Sequence, residues 1–313
     1  NSVKIIQQFK NSNTLDISIL PSEVSAFTAE TFVRWIDVII PPSEKEDFRG
    51  RSIHRSSNLD TGNPTDRRYT GEGVGVMVRD DGVVGPHIDF QGRINNSSTS
   101  QVGGTHGDGV AGILAGAGNL NPLNRGMAAG SDVYAVNYVS SFLDSPTLNR
   151  VANGEVQITN SSYGSVCNGG YTAVASRVDE QTNTYPQLLH VFSAGNSGTQ
   201  DCGFGAGSSW GTITGGHKQG KNVIATANTF YDGQLANSSS RGPSTDGRIK
   251  PDITAHGQGQ ISTDENNGYL TFGGTSGAAP GIAGVAAQLY QAYAELNGGI
   301  LPESGLIKAT MLN

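Results

Sequence analysis

The chain has 313 residues, a net charge of −7, 15% charged residues and 44 glycines. Its length allows one large domain or two small ones, and the composition is typical of a globular, loop-rich protein and not of a disordered chain. The negative charge argues against a nucleic-acid partner, which requires a basic patch. A membrane span is not predicted, because Gln288 and Gln291 interrupt the most apolar stretch.

The N-terminal segment, residues 1–40, has the pattern of a small α+β unit. Two strands, a helix and a third strand are predicted in the order 3–9, 15–20, 22–30 and 33–39. This would be half of such a unit and not a complete one. Residues 41–70 begin with two prolines and continue with charged and polar residues, so we predict that they form a linker.

From residue 71 the chain alternates between strand and helix patterns. Strands are predicted at 74–79, 133–138, 156–161, 189–194 and 222–227, and helices near 107–116, 172–182 and 276–295. Crossovers of this kind bury helices on both faces of a parallel sheet. The predicted fold class is therefore α/β, a three-layer α/β/α sandwich with a mainly parallel central sheet, preceded by the small N-terminal segment.

Four segments place reactive side chains at the ends of these elements. An apolar strand ends in Asp80 and Asp81, His106 precedes a helix of small residues, and Asn196 follows a buried strand within a glycine turn. Ser276 lies at the start of a buried helix, where unpaired N–H groups and a partial positive charge stabilise negative charge. Each segment alone is also explained as a cap or a turn. Their joint occurrence indicates catalytic chemistry.

In chain order these side chains are Asp, His, Asn and Ser, and Asp–His–Ser is one order in which the serine triad recurs on unrelated folds. With these segments the chain resembles the subtilisin-like serine proteases, the subtilase family, from about Gly71 to its end. The blocks that carry the resemblance are 78–82 (VRDDG), 106–112 (HGDGVAG), 193–196 (SAGN) and 274–280 (GTSGAAP), with further similarity at 126–128, 133–136, 239–243 and 250–253.

The resemblance implies a serine endopeptidase that needs no cofactor for catalysis. Ser276 Oγ would attack the scissile carbonyl, His106 would move the proton, and Asp80 would hold the imidazole. The Asn196 amide, with the Ser276 backbone N–H, would donate to the oxyanion. Asp81 stands where the family usually has Ser or Thr, and register with the preceding strand selects Asp80 as the triad member.

Three residues depart from the family pattern, and none of them occupies one of these four positions. Gly109 stands where a second histidine is frequent, Gly277 where methionine is frequent, and His256 where proline is common. Two alternatives to the peptidase stay open. One is a catalytically silent homologue that binds peptides, and the other is a peptide ligase or macrocyclase that uses the same acyl-enzyme.

Protein or peptide substrates are implied, held extended along strand edges. The resemblance places two walls around the pocket for the residue before the cleaved bond. Their small residues predict a roomy, mainly apolar pocket, whose base lies after Cys202 and is not identified. The first wall comprises Ser162, Tyr163 and Gly164, and the second comprises Ser193, Ala194 and Gly195.

A structural calcium ion is also expected by resemblance. Asp89 follows Asp80 at the spacing at which the family often supplies a calcium-binding carboxylate, and Asn119 and Asn121 lie in a loop that can add oxygen ligands. Such an ion would stabilise the fold and would take no part in the chemistry. The alternative is an ordinary Asn/Pro turn with Asp89 as a surface acid.

The resemblance further implies secretion and processing. Residues 1–40 correspond to part of an inhibitory propeptide, and residues 33–37 (VRWID) resemble its end; the alternative is an extension that packs on the enzyme. Residues 71–313 would be the catalytic domain, truncated at its C-terminus. A signal peptide is expected upstream of Asn1.

The two cysteines, Cys167 and Cys202, follow the ends of strands that we expect to be neighbours. In a secreted chain they predict one disulfide, which would join the two pocket walls. Two free buried thiols are the alternative.

Overall fold

A computed structural model describes residues 3–9, 14–36, 49–62, 67–100, 103–139, 145–165, 167, 170–203 and 206–313. The chain divides into two compact units, Asn1–Lys45 and Glu46–Asn313. In the described part of the chain, no helix combines the length and the apolar character that a membrane crossing requires.

The first unit contains an antiparallel hairpin and a short helix. Its elements are β1 (Lys4–Phe9), β2 (Thr14–Ser18), a 3₁₀ turn (Pro21–Glu23) and α1 (Val24–Thr28). The helix is shorter than predicted, because the chain turns after it, with Val33 N donating to Glu30 O at 3.0 Å. The third predicted strand is wrong over residues 33–36, and its remainder lies outside the described residues.

The second unit contains seven helices and nine strands within its described residues. The helices are α2 (Arg49–Ile53), α3 (Ser56–Leu59), α4 (Thr105–Ala115), α5 (Ser145–Ala152), α6 (Ala173–Thr184), α7 (Thr275–Leu296) and α8 (Ser304–Leu312). The strands are β3 (Gly75–Asp80), β4 (Ile94–Ser98), β5 (Asp132–Asn137), β6 (Ile158–Ser161), β7 (Leu189–Ser193), β8 (Ile224–Thr229), β9 (Ile253–His256), β10 (Gln260–Asp264) and β11 (Gly268–Phe272).

Seven strands form one parallel sheet in the order β4-β5-β3-β6-β7-β8-β9. A separate antiparallel hairpin, β10–β11, packs beside α4. Alternate side chains of the sheet point to opposite faces. Val76 and Val78 join α4 and α7 in the main core, whereas Met77 joins α5, and Phe192 joins α6, on the other side. The predicted three-layer α/β/α sandwich with its parallel sheet is confirmed.

Part of the predicted linker is packed on the second unit. Helices α2 and α3 lie within residues 41–70, and Ser56 at the start of α3 is fully buried, with its Oγ donating to Met127 O at 3.3 Å. The buried Asp60 carboxylate accepts from Arg51 at 2.8 Å and from Arg125 at 3.0 Å. The polar composition that suggested a linker thus includes charged groups that pair with each other.

Candidate active site

The four reactive side chains lie where the elements of the sandwich begin or end. Asp80 is the last residue of β3, and Asn196 follows β7. His106 is the second residue of α4, and Ser276 is the second residue of α7. Because neighbouring parallel strands end at the same edge of a sheet, this edge is where α/β proteins bind ligands.

Asp80 and His106 form a close pair. The distance between His106 Nδ1 and Asp80 Oδ1 is 2.6 Å, and the Asp81 backbone N–H donates to the same oxygen at 3.0 Å. The Asp80 side chain is 3% exposed and the His106 side chain 41% exposed. A hydrogen bond from Nδ1–H to the carboxylate leaves Nε2 as the acceptor nitrogen of the ring.

Asp81 caps the helix that carries His106. Its Oδ1 accepts from Gly107 N at 2.8 Å, and its Oδ2 accepts from His106 N at 3.2 Å. These N–H groups belong to the first turn of α4 and have no acceptor within the helix. The two consecutive carboxylates therefore have different partners, with Asp80 on the imidazole and Asp81 on the helix backbone.

The two carboxylates shift the proton affinity of His106. Burial disfavours the charged imidazole, but the hydrogen bond to Asp80 and the negative charges of Asp80 and Asp81 outweigh this effect, so the pKa of His106 lies above its ordinary value. Burial in turn raises the pKa of Asp80, and its hydrogen bond with His106 opposes that rise. The arrangement stabilises the imidazolium.

An aromatic ring occupies the space beside His106 that a larger residue at position 109 would need. A Cβ added to Gly109 would lie 2.5 Å from Phe272 Cδ2. The Phe272 ring meets the His106 ring edge to face, with centroids 5.1 Å apart. The departure from the family pattern at Gly109 is therefore matched by a bulky side chain from β11.

Ser276 exchanges two hydrogen bonds with Ser162, the residue that follows β6. Its Oγ donates to Ser162 O at 3.1 Å, and Ser162 Oγ donates to Ser276 O at 3.2 Å. Ser276 O is available because Pro280, four residues on, has no N–H to donate. Within the described residues Ser276 Oγ makes no hydrogen bond to His106; such bonds are often absent before substrate binds.

Thr275 holds the Asn196 side chain. Asn196 Oδ1 accepts from both the N–H and the Oγ1 of Thr275, each at 3.0 Å, and Thr275 Oγ1 accepts from Gly195 N at 3.1 Å. Gly274 has φ +80°, and a Cβ there would lie 3.1 Å from Asn196 Nδ2. With its oxygen fixed, the amide presents its two N–H donors on the other side.

A cavity of about 200 Å³ opens beside Ser276 and Asn196. Five of the six predicted wall residues line it, and Ala194 does not; its carbonyl accepts from Thr214 N at 3.1 Å. The prediction of a mainly apolar pocket is wrong, because Thr214 and Lys218 also line it. The full lining comprises Ser162, Tyr163, Gly164, Ser165, Ser193, Gly195, Asn196, Thr214, Lys218, Thr275 and Ser276.

The family assignment follows from comparison with known proteins. Residues 71–313 match the family model described as the subtilase family. The chain belongs to the subtilase family. The family members that are similar to this chain include proteases. At the family level this supports a serine peptidase that acts on proteins or peptides.

Individual relatives of this subtilase are distant. It is 27% identical over 301 residues to alkaline elastase YaB of Bacillus sp. (strain YaB), covering 92% of this chain and 72% of that protein. It is 29% identical to subtilisin-like protease SBT6.1 of Arabidopsis thaliana, covering 72% of this chain but 22% of that protein. For the thermostable alkaline protease of Halalkalibacterium halodurans the identity is 30%, with coverages of 76% and 62%.

Solved structures share the fold. The Clostridium perfringens CspB protease matches with a TM-score of 0.67 at 17% identity, over 82% of this chain and 90% of that chain. A cold adapted subtilisin-like serine proteinase matches with a TM-score of 0.56 at 22% identity, over 85% and 90%. At these identities the likeness concerns architecture alone.

The two cysteines of this subtilase are paired. Cys167 and Cys202 form a disulfide, with their Cα atoms 5.7 Å apart. The predicted disulfide is confirmed. Cys167 also forms an antiparallel bridge with Thr214, which lines the cavity. The disulfide therefore lies next to a residue that lines the cavity.

The residues expected to bind calcium do not form a cage in this arrangement. Asp89 is fully buried, so it is not a surface acid, and its Oδ1 accepts from the N–H groups of Asn119 and Leu120 at 2.7 and 3.3 Å. Asn119 Nδ2 donates to Ile88 O at 3.1 Å, and Asn121 Oδ1 accepts from the N–H two residues later.

The loop at residues 118–124 thus offers N–H donors to Asp89, whereas calcium takes six to eight oxygen ligands. One oxygen, Asp89 Oδ2, is buried and has no hydrogen-bond partner among the described residues. Throughout the residues that the structure describes, no group of three or more His, Cys, Asp or Glu side chains could hold a metal ion. Calcium binding stays a prediction, and no catalytic step depends on it.

Proposed function

We propose that this subtilase is a secreted serine endopeptidase that uses Asp80, His106 and Ser276 as its triad and Asn196 in its oxyanion hole. The observation that carries the proposal is the 2.6 Å pairing of His106 Nδ1 with the buried Asp80 carboxylate. It leaves Nε2 free to act as a base. The cavity beside Ser276 and Asn196 provides the place for the substrate side chain.

In the proposed reaction, Ser276 Oγ turns from Ser162 O to His106 Nε2 and attacks the scissile carbonyl. His106 takes the hydroxyl proton and becomes imidazolium, which the Asp80 carboxylate stabilises. His106 then gives the proton to the leaving amine, and an acyl-enzyme on Ser276 remains. Water resolves it by the same proton path in reverse.

The negative oxygen of the tetrahedral intermediate would accept from Asn196 Nδ2 and from the Ser276 backbone N–H. The Ser276 N–H is in the first turn of α7, where N–H groups have no intrahelical acceptor and the helix dipole is positive. Loss of the Asn196 donor is expected to lower turnover by roughly 10²–10³-fold, a magnitude measured in a member of the same family.

Secretion is supported by the Cys167–Cys202 disulfide, since disulfides persist in oxidising compartments. The hairpin and helix of residues 1–40 are proposed to be part of an inhibitory propeptide. N-terminal sequencing of the enzyme recovered from the medium tests this assignment. A mature protein that still begins before residue 40 would favour a permanent extension.

Covalent labelling tests the triad. A serine-directed phosphonate should modify Ser276, and Ser276→Ala should lose both labelling and nearly all peptide cleavage while its circular dichroism is unchanged. The exposed Ser238, changed to Ala, is the matched control and should keep both properties. Substantial cleavage by purified Ser276→Ala protein would refute the proposal. An intact fold without labelling in the wild type would favour a silent homologue, and transfer of the acyl group to an added amine would favour a ligase.

A further inference from the structure

Lys218 is a buried amino group at the cavity beside Ser276. It lies in a 3₁₀ turn (Gly216–Gln219) and is 0% exposed. Its Nζ donates to Thr214 Oγ1 at 2.9 Å, and both residues line the cavity. A Cβ added to Gly164 would lie 3.0 Å from this Nζ. The amino group is therefore directly behind the wall residue Gly164.

Lys218 has no acidic partner in the part of the chain that the structure describes. No carboxylate of the described residues forms an ion pair with Lys218, and the other residues that line the cavity are Ser, Thr, Tyr, Gly and Asn. Burial alone lowers its pKa to about 7. An ammonium group can donate three hydrogen bonds, and one is used by Thr214. A buried charge with unfilled donors is unfavourable unless a partner neutralises it.

Lys218 is the one cationic residue among the described residues that line the cavity. Burial, and then the positive charge of Lys218, hold the pKa of His217 well below its ordinary value, and Arg79 contributes in the same direction. His217 is therefore neutral, and the positive charge of the cavity lining comes from Lys218. This local sign is opposite to the net charge of −7 for the chain.

The cavity volume suits one side chain of moderate size. About 200 Å³ corresponds to roughly seven water molecules at ~30 Å³ each. Gly164 and Gly195 keep the cavity open, because a Cβ at either position would lie within 2.4 Å of Thr214 Oγ1. A carboxylate that enters between these two glycines would meet Thr214 and Lys218 at the base.

We propose that Lys218 makes this enzyme selective for peptides with an acidic residue, Glu or Asp, immediately before the cleaved bond. This inference rests on the proposed peptidase function, since it assigns the side-chain pocket of that same site. The substrate carboxylate forms an ion pair with Lys218 Nζ and fills its remaining donors. An apolar side chain would offer Nζ no hydrogen bond and would leave its remaining donors unfilled.

The size of the preference follows from the charged hydrogen bond. Hydrogen bonds to charged groups contribute about 1.5–3 kcal/mol, which corresponds to roughly 10–100-fold in kcat/KM. Glutamine has nearly the same shape as glutamate and no charge, so a Glu/Gln pair isolates the ionic part of the recognition. Leucine tests the apolar alternative at similar volume.

The test compares three peptides that differ only in Glu, Gln or Leu before the cleaved bond, at about pH 6, below the pKa of Lys218. The wild type should cleave the Glu peptide with a kcat/KM at least tenfold above the other two. Lys218→Met, of similar length and without charge, should lose this preference and favour Leu. The exposed Lys221, changed to Met, is the matched control and should keep the wild-type order.

Phosphonate labelling of Ser276 in each protein counts the active sites and separates the two proposals. Absence of both labelling and cleavage in the wild type would overturn the peptidase function itself. A labelled wild type that cleaves the Gln or Leu peptide as well as the Glu peptide would overturn only the role of Lys218. Because that comparison uses the wild type alone, it holds even if Lys218→Met does not fold.

Discussion

Replacing Lys218 with methionine in a Ser276→Ala background is expected to increase the free energy of unfolding, by an amount that depends on pH. Lys218 has a pKa of about 7 in the folded protein against 10.5 for an ordinary lysine. Each pH unit between these values corresponds to roughly 1.4 kcal/mol. The buried lysine therefore lowers stability by up to about 5 kcal/mol, and methionine, which can fill the same space without charge, removes this penalty.

The sign with pH follows from proton binding. Below pH 7 both states bind the proton and the penalty is complete; between pH 7 and 10.5 the unfolded state binds it and the folded state does not, so the stability of the Lys218 protein rises with pH. The advantage of Lys218→Met should consequently shrink by roughly 1.4 kcal/mol per pH unit and vanish near pH 10.5.

Denaturant unfolding followed by tryptophan fluorescence, repeated across this pH range, measures the difference. The Ser276→Ala background prevents self-cleavage during the experiment. Lys221→Met in the same background is the control, and because Lys221 is exposed it should show no such pH-dependent gain. A stability difference between Lys218→Met and its parent that stays constant from about pH 7 to 10 would refute the lowered pKa. Residues that lower stability are commonly kept in binding pockets because function requires them.

Three further predictions concern the remaining features. Burial lowers the pKa of His106, but the carboxylates of Asp80 and Asp81 together raise it by more, so kcat/KM should rise with pH around a midpoint above about 6.5. A flat profile between acid and neutral pH, with chemistry rate-limiting, would contradict the role of His106 as the base. Thiol titration of the denatured, unreduced protein should find no free thiol, and two reactive thiols would reject the Cys167–Cys202 bond. If calcium stabilises the fold, a chelator should lower the melting temperature of the wild type more than that of Asp89→Ala; equal wild-type melting with and without calcium would exclude a stabilising site.

The sequence predicted those parts of the fold that rest on local hydrophobic pattern. All five predicted strands and three predicted helices of the second unit are present, with boundaries within two residues for the strands. Strands β4 and β9, at the two edges of the sheet, were not predicted; β4 has the mostly polar sequence INNSS, and β9 has four residues. The hairpin β10–β11 and the short helices α2 and α3 were also missed, since short elements have weak periodicity.

The candidate site was likewise predicted only in part. The positions of Asp80, His106, Asn196 and Ser276 were predicted from motifs, because each motif couples an element end to a reactive side chain. The pocket base was not predicted. Lys218 belongs to the sequence GGHKQGK, which has the composition of an exposed turn, and its burial depends on the close approach of Gly164, which is distant in the chain and leaves no signal in the local pattern. Polar residues are usually exposed, so sequence alone favours the wrong environment for Lys218.

The two consecutive carboxylates at the end of β3 restrict the motion of a single residue in a specific way. Asp80 binds the ring of His106, and Asp81 binds its backbone N–H. Because both contacts come from consecutive residues at the end of β3, a displacement of α4 that separated the imidazole from its carboxylate would also break the hydrogen bond between Asp81 and the helix backbone. The remaining freedom of the site therefore lies at Ser276, whose Oγ donates to Ser162 O and not to His106. Rotation of the Ser276 side chain away from Ser162 O, and not rotation of the imidazole, is therefore expected to govern how often His106 and Ser276 form a hydrogen bond.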